Sequence, residues 1–321
     1  MYLAPRQLRP GDCVAIVAPA SPFRSDELYE SIDVMREMGL KPVLGSNVKN
    51  LKNAGMYAAP LRDRVEEMMW AFSNDNVKAV FAATGGCGSA ELLPYLDYEL
   101  IARSRKCLVG MSDITALNQG ILAKAGLISI NGQSPNIRLD KGDRLRETDT
   151  ESFRVTLELM MSSDPWGTKP FDALNQYIPR TISSGRVCGH VLGANNDTFV
   201  HLLGTPFMPN VEGAVLFFED THKNGVAIAR QFIHMKNAGV LDRLGAVVVG
   251  EFEDVGTLSD EDHKVPDIAD VLVEYLGNCK IPSATGYSFS HGEYTIPIPI
   301  GAMCDFDADT GVVSFRFAMA K

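Results

Sequence analysis

The sequence predicts an α/β protein of two domains, and three observations lead there. Over the first 138 residues, short apolar segments alternate with segments of helical spacing, a pattern that implies a parallel sheet covered by helices. The alternation is interrupted by a charged, Pro- and Gly-bearing stretch and resumes at Arg186. At 321 residues the chain is also longer than one ordinary core accommodates. The expected division is an N-terminal domain over 1–138, a connector over 139–185 and a C-terminal α/β domain with a mixed sheet over 186–321.

In chain order, strands are expected at 14–18, 42–44, 79–83, 107–111 and 127–130, with helices at 25–38, 62–72, 91–96 and 114–125. The strands are unbroken apolar runs, as strands buried on both faces are. The helices repeat apolar residues at three- and four-residue steps, as Ala116, Leu117, Ile121 and Leu122 do. The connector opens with charges from Asp140 to Glu147, carries one amphipathic helix over 153–161 and ends in Pro, Gly, Asn and Ser. Beyond it, strands are expected at 187–192, 214–218 and 246–249 and helices at 198–203, 227–238 and 268–276. A closing hairpin pairs 303–306 with 312–317 across Asp309-Thr310-Gly311. In such folds ligands gather at the carboxyl ends of the parallel strands, so the loops leaving those ends are the ones able to carry a site.

Composition narrows the function classes. The chain is 45% hydrophobic and 22% charged, and its apolar runs fall well short of the roughly 18 residues that cross a bilayer. The first ten residues lack a continuous apolar stretch followed by a small-residue cleavage site, so the expected compartment is the cytoplasm. Six cysteines (Cys13, Cys87, Cys107, Cys188, Cys279 and Cys304) show no paired spacing, so neither disulfides nor a metal site is expected. A formal charge of −10 without Lys and Arg clusters argues against nucleic acid as a partner.

Residues 107–120 pass from an apolar strand through a single serine directly into a helix. Such a corner lifts the Ser112 hydroxyl clear of the sheet, beside the free amides and positive end of the helix, where an oxyanion meets donors already in place. The same residues also fit a plain helix cap, since Ser112 and Asp113 are ordinary capping types. Gly110-Met111-Ser112-Asp113-Ile114 moreover lacks the last glycine of the hydrolase elbow.

A serine nucleophile needs a base, and the base needs a group to orient it. Of six histidines, His201 and His234 fall on expected helices, His222 and His263 in charged loops and His190 in a strand. His291 stands in a polar loop before the proline-stiffened stretch 295–301 and is the candidate base. The strand at 214–218 ends in Glu219-Asp220, and spacing does not choose between these two carboxylates, which also fit an ordinary acidic loop. Glu251-Phe252-Glu253-Asp254 fits a solvated acidic loop.

Thr84-Gly85-Gly86-Cys87-Gly88-Ser89 follows another strand end; its glycines either bring amides close to a ligand or form a tight turn. Glu91 occupies the place of the last glycine of a dinucleotide fingerprint, so no nucleotide cofactor is expected. Cys87 lacks the strand-to-helix setting of Ser112. The amides of Gly86 and Asp113 are the candidate oxyanion donors.

Taken in order, these segments resemble the serine LD-carboxypeptidase family, which includes the microcin C self-immunity peptidases. The resemblance is carried by Leu8-Arg-Pro-Gly-Asp12, Val17-Ala-Pro-Ala-Ser-Pro22, Gly85-Gly86-Cys87-Gly88-Ser89 and Leu92-Leu-Pro-Tyr-Leu-Asp-Tyr98. It continues through Val109-Gly-Met-Ser-Asp-Ile-Thr-Ala-Leu117, Gly193-Ala194-Asn195, Leu216-Phe-Phe-Glu-Asp220, and Ser290-His291 leading to Pro299-Ile300-Gly301. It implies a flavodoxin- or amidotransferase-like N-terminal domain, with Ser112 as nucleophile, Glu219 as orienting acid and His291 as base. It also implies a metal-free, cofactor-free hydrolase, often homodimeric, that frees terminal D-alanine from a murein tetrapeptide. The immunity branch instead cleaves a peptide from an aminoacyl-nucleotide mimic.

Three departures bear on the substrate. Thr84 stands in place of the usual arginine, Gln133 ends Asn131-Gly132-Gln133 in place of His/Tyr-Gly-Pro, and Ala194 replaces a glycine. Trp166 is the connector's single tryptophan, which favours a peptidoglycan-type peptide over the immunity substrate. A catalytically silent binder of a small peptide or nucleotide is the reading from another class.

Overall fold

The computed structural model describes residues 2–23, 25–52, 54–136, 146–253, 265–289 and 291–321. Its first sheet is built by β1 (Cys13–Val17), β2 (Lys41–Leu44), β3 (Val77–Ala82), β4 (Cys107–Val109) and β5 (Ser129–Asn131), parallel and in the order β2-β1-β3-β4-β5. That is the flavodoxin-like order. The second half contributes β6 (Arg180–Ser183), β7 (Arg186–Asn195), β8 (Val215–Thr221), β9 (Ala246–Glu253) and β10 (Ser283–Tyr287). It closes with β11 (Ile298–Ile300), β12 (Met303–Asp307) and β13 (Val312–Arg316). The second sheet runs β13-β12-β7-β8-β9-β10-β6; its centre β7 to β10 is parallel, and β12, β13 and β6 pair antiparallel, so it is mixed as expected.

β11 leaves the second half and joins the first sheet, antiparallel to β5, with Ile298 opposite Asn131 and Ile300 opposite Ser129. Its Ile-Pro-Ile sequence reads as coil, yet a proline is tolerated on an edge strand because its missing N–H can face away from the ladder. β6 and β10 are also absent from the pattern. Arg180-Thr-Ile-Ser183 and Ser283-Ala-Thr-Gly-Tyr287 carry too few apolar residues to announce strands. β6 lies inside the stretch expected to be connector, which also holds a helix at Glu147–Met161, longer than the expected one, and another at Lys169–Leu174. The helix expected at 91–96 is a 3-10 helix, Ser89–Tyr95, where Pro94 offers no amide for an α-helical bond. The charged run from Asp140 lies outside the described residues up to 145.

Between the sheets runs the helix Thr115–Ala125. Nine of its eleven residues are buried, polar Asn118 and Gln119 among them. Those polar groups join the helix to the strands beside it. Asn118 Nδ2 donates to the Gly110 carbonyl at 3.2 Å, Gln119 Nε2 donates to the Gly193 carbonyl at 2.9 Å, and Thr115 Oγ1 accepts from the Asn195 amide at 3.3 Å. Among the described residues, no helix is long and apolar enough to cross a membrane.

Ile300 is fully buried on the strand that couples the halves. Ile300→Ala should lower the unfolding free energy by about 2–5 kcal/mol, through lost transfer energy plus the cavity left behind. Urea titration measures this; a loss below about 1 kcal/mol would mean that β11 is not part of the core.

Candidate active site

Ser112 lies one residue past the extended Met111 and begins a 3-10 turn, Ser112–Ile114, that feeds the buried helix. Its φ is +60°, in the left-handed region that a residue with a Cβ enters at a cost of about 1–3 kcal/mol. The corner persists because its neighbours fix it. A side chain on Gly85 would place a Cβ 2.8 Å from Ser112 Cβ, so the glycine turn packs against Ser112 with no space between them. The Asp113 carboxylate accepts from the Ser89 amide at 2.8 Å, and Ser89 Oγ donates to the Asp113 carbonyl at 2.6 Å. The plain-cap reading is thereby corrected: Asp113 ties the elbow to the glycine turn, and the turn has no side-chain cap. Burial pushes the Asp113 carboxyl above its ordinary value.

Glu219 and His291 come from the second half. β8 and β9 change register between Phe218, opposite Val249, and Asp220, opposite Phe252. The extra residue of this bulge is on β9, where Gly250 and Glu251 lie opposite Glu219, and Glu219 and Asp220 are both buried, each 2% exposed. Glu219 Oε2 lies 3.0 Å from His291 Nδ1. An ionised carboxylate only accepts, so Nδ1 carries the proton and Nε2 is left as the acceptor. The loop bearing His291 is anchored by Phe289, edge-on to Phe217 at 5.3 Å between ring centres. Gly250 leaves room for it, since a Cβ there would lie 2.9 Å from the Phe289 ring and 3.2 Å from Glu219 Cβ.

Asp220 has a different task. Its carboxylate accepts from Gln231 Nε2 at 2.7 Å, the Thr221 amide at 2.9 Å, the Asp197 amide at 3.1 Å and Asn195 Nδ2 at 3.3 Å. It therefore ties β8 to the helices Asn196–Val200 and Gly225–Asn237. The structure thus separates two carboxylates that spacing leaves equivalent.

Ser112 and His291 line one cavity of about 270 Å³, together with the glycine turn (Thr84, Gly85, Gly86) and the loop leaving β5 (Gln133, Ser134, Asn136). Among the described residues, neither the Gly86 nor the Asp113 amide donates to another protein group. Of the three departures, Thr84 and Gln133 line the cavity, whereas Ala194 is buried within β7 with a φ of +122°. None of the other described histidines lines it, and His263 lies outside the described residues. Cys87 is exposed outside it; desolvation and the carboxylates of Asp113 and Glu91 push its thiol up, away from the reactive thiolate. The acidic loop expected from Glu251 is instead strand as far as Glu253, with Asp254 outside the described residues. Glu251 accepts from the Tyr177 hydroxyl and so pushes Tyr177 up to about 12.

Comparison with known proteins fits this arrangement. Residues 14–132 match the LD-carboxypeptidase N-terminal domain and residues 188–306 its C-terminal domain. The chain belongs to the LD-carboxypeptidase family. A Bacillus subtilis protein named "Probable murein peptide carboxypeptidase" is 29% identical, over 93% of this chain and 89% of its own length. The microcin C7 self-immunity protein MccF of Escherichia coli is 28% identical, over 92% of this chain and 90% of its own. The solved muramoyltetrapeptide carboxypeptidase of Oxalobacter formigenes superposes with a TM-score of 0.79 at 26% identity, covering 96% of this chain and all of that one. The family assigns the chain to the serine-type carboxypeptidases.

One residue that holds this carboxypeptidase site together is not evident from motif reading. Arg64 is fully buried and donates to the carbonyls of Ala59 at 3.0 Å, Pro19 at 2.9 Å and Gly88 at 2.9 Å. It also meets Glu91 at 2.6 Å and stacks over the Tyr57 ring at 4.4 Å. The pairing with Arg64 holds the Glu91 carboxyl below its ordinary value. The arginine thereby fixes both ends of the glycine turn's surroundings. Ser21 Oγ adds to this by accepting from the Cys87 amide at 3.0 Å and donating to the Met56 carbonyl at 2.9 Å. The signal was its phase: Arg64 shares the buried face of the helix Leu61–Ser73 with Met68, Ala71 and Phe72.

Asp220 gives the site a pH signature. Burial, reinforced by the neighbouring Glu219 charge, pushes it up to about 6 against its four donors, while an unfolded aspartate titrates near ~3.9. The folded state binds the proton more tightly, so the stability gained is fully present below about pH 4 and is lost as pH rises through about 6. Unfolding free energies from urea titration should fall across that window, and Asp220→Asn should flatten the fall. An equal slope in the variant would remove Asp220 as its source.

Proposed function

We propose that this carboxypeptidase removes the terminal residue of a murein-type peptide by cleaving the amide between an L- and a D-residue, with Ser112, His291 and Glu219 as its triad. The observation that carries the reading is the 3.0 Å hydrogen bond between buried Glu219 and a histidine that shares its cavity with Ser112. His291 Nε2 takes the Ser112 proton as Oγ attacks the scissile carbonyl carbon, and the oxyanion accepts from the Gly86 and Asp113 amides. Collapse breaks the C–N bond, and the imidazolium returns its proton to the leaving amine. Water, activated by the same imidazole, then hydrolyses the acyl-enzyme ester. Glu219 stabilises the imidazolium in both steps. The nucleophile belongs to the domain 1–138 and the acid and base to 186–321, so the reaction takes place where the two meet. The family resemblance supports a cytoplasmic homodimer.

Solved structures of MccF with glutamyl sulfamoyl guanosine and with aspartyl sulfamoyl adenosine support a second substrate, an aminoacyl-nucleotide conjugate. Incubation with muramoyl tetrapeptide and with an aminoacyl-sulfamoyl adenylate, followed by mass spectrometry, separates the two. Release of D-alanine is expected. Ser112→Ala should lower turnover on the order of 10⁴-fold or more, and Glu219→Gln by about 10²–10⁴-fold, with little change in thermal stability for Ser112→Ala. Full turnover by the Ser112→Ala enzyme would overturn the triad, and a wild type that binds peptide without cleaving it would establish the silent binder.

A further inference from the structure

Among the described residues, ten buried side-chain atoms have no hydrogen-bond partner, and only two of their residues, Ser134 and Asn136, line the cavity of Ser112 and His291. The unpartnered atoms are Ser134 Oγ and Asn136 Oδ1, and Ser134 is only 4% exposed. Their backbone is held in place around them. The Asn136 amide donates to the Ala83 carbonyl at 3.1 Å, and Gln133 Nε2 donates to the Ser134 carbonyl at 3.2 Å. Buried polar groups without partners cost stability, and proteins carry that cost where a ligand supplies the missing bonds. Rotation about one side-chain bond of Ser134 and two of Asn136 presents both groups to a molecule in the cavity.

We propose that Ser134 and Asn136 bind the peptide unit next to the scissile bond on the acyl side of the substrate. In this arrangement Asn136 Oδ1 accepts that unit's N–H, and Ser134 Oγ donates to its C=O. The assignment rests on the carboxypeptidase reading above. A hydroxyl and a carboxamide oxygen complement one N–H and one C=O, whereas a carboxylate only accepts and would leave Asn136 Oδ1 unpaired. An enzyme that removes a single residue has only that residue's carboxylate beyond the scissile bond, so a flanking peptide unit exists on the acyl side alone. Gln133, through its bond to the Ser134 carbonyl, is a positioning residue for this pair.

The test is a cycle between substrate and variant. Muramoyl tetrapeptide is compared with the analogue in which that peptide N–H is replaced by an ester oxygen, each with the wild type, Asn136→Ala and Ser134→Ala. Asn136→Ala should raise KM for the peptide by about three- to tenfold with kcat little changed, and should cost nothing further on the ester analogue. Ser134→Ala should raise KM by a similar factor on both substrates, and its melting temperature should equal or exceed that of the wild type, because the deleted hydroxyl has no partner in the free protein. Equal losses for Asn136→Ala on peptide and ester would overturn the proposal, as would a lowered melting temperature with unchanged KM for Ser134→Ala. Labelling of wild-type Ser112 by a fluorophosphonate, together with wild-type turnover, reports on the triad separately. If both fail, the carboxypeptidase reading falls; if both hold and the cycle shows no coupling, only the assignment of Ser134 and Asn136 falls.

Discussion

The hydrogen bond between Glu219 and His291 is the constraint on which the rest depends. A carboxylate this deeply buried is costly unless it is paired, and its partner comes from a loop 72 residues further along the chain. Bringing them together takes a bulge in β9 beside Glu219, a glycine at 250 within that bulge that leaves space, and the Phe289 ring that fixes the loop against Phe217. The same loop then leads into β11, which pairs with β5. The strand that follows His291 is therefore seated beside the strand whose exit forms one wall of the cavity.

The Ser112 side is rigid for a different reason. Ser112 occupies a backbone conformation it would not choose, and no single strong contact holds it there. Gly85 closes in on it, Asp113 and Ser89 exchange two hydrogen bonds beneath it, and the Arg64 guanidinium reaches the carbonyls on either side of the glycine turn. Such over-determination is what a pre-organised oxyanion site requires, since amides that must move during the reaction forfeit part of their benefit.

Much of this was legible in the sequence, and the rest failed for identifiable physical reasons. The parallel strands announced themselves because burial on both faces leaves unbroken apolar runs, and the strand-serine-helix corner at Ser112 stood out for the same reason. Strands at or beside a sheet edge do not follow that rule. β6, β10 and β11 are short, polar or proline-bearing, and their pairing is decided by neighbours elsewhere in the chain. Spacing was unable to separate Glu219 from Asp220 because β8 is buried on both faces, which removes the two-residue alternation on which such a choice rests. The family resemblance implies Glu219 as the acid; in the structure Glu219 meets His291, while Asp220 is engaged by four donors. Arg64 was missed because a charged residue on a helix ordinarily faces water.

The placement of β11 has a consequence for biosynthesis. The first sheet is completed only by residues 298–300, so a nascent chain emerging from the ribosome holds β5 with one open flank until β6 to β10 of the second sheet have already been made. An uncovered strand flank invites pairing with other chains, and closing it from so far along the chain means that the hydrolase acquires its working geometry only after β11 has been made.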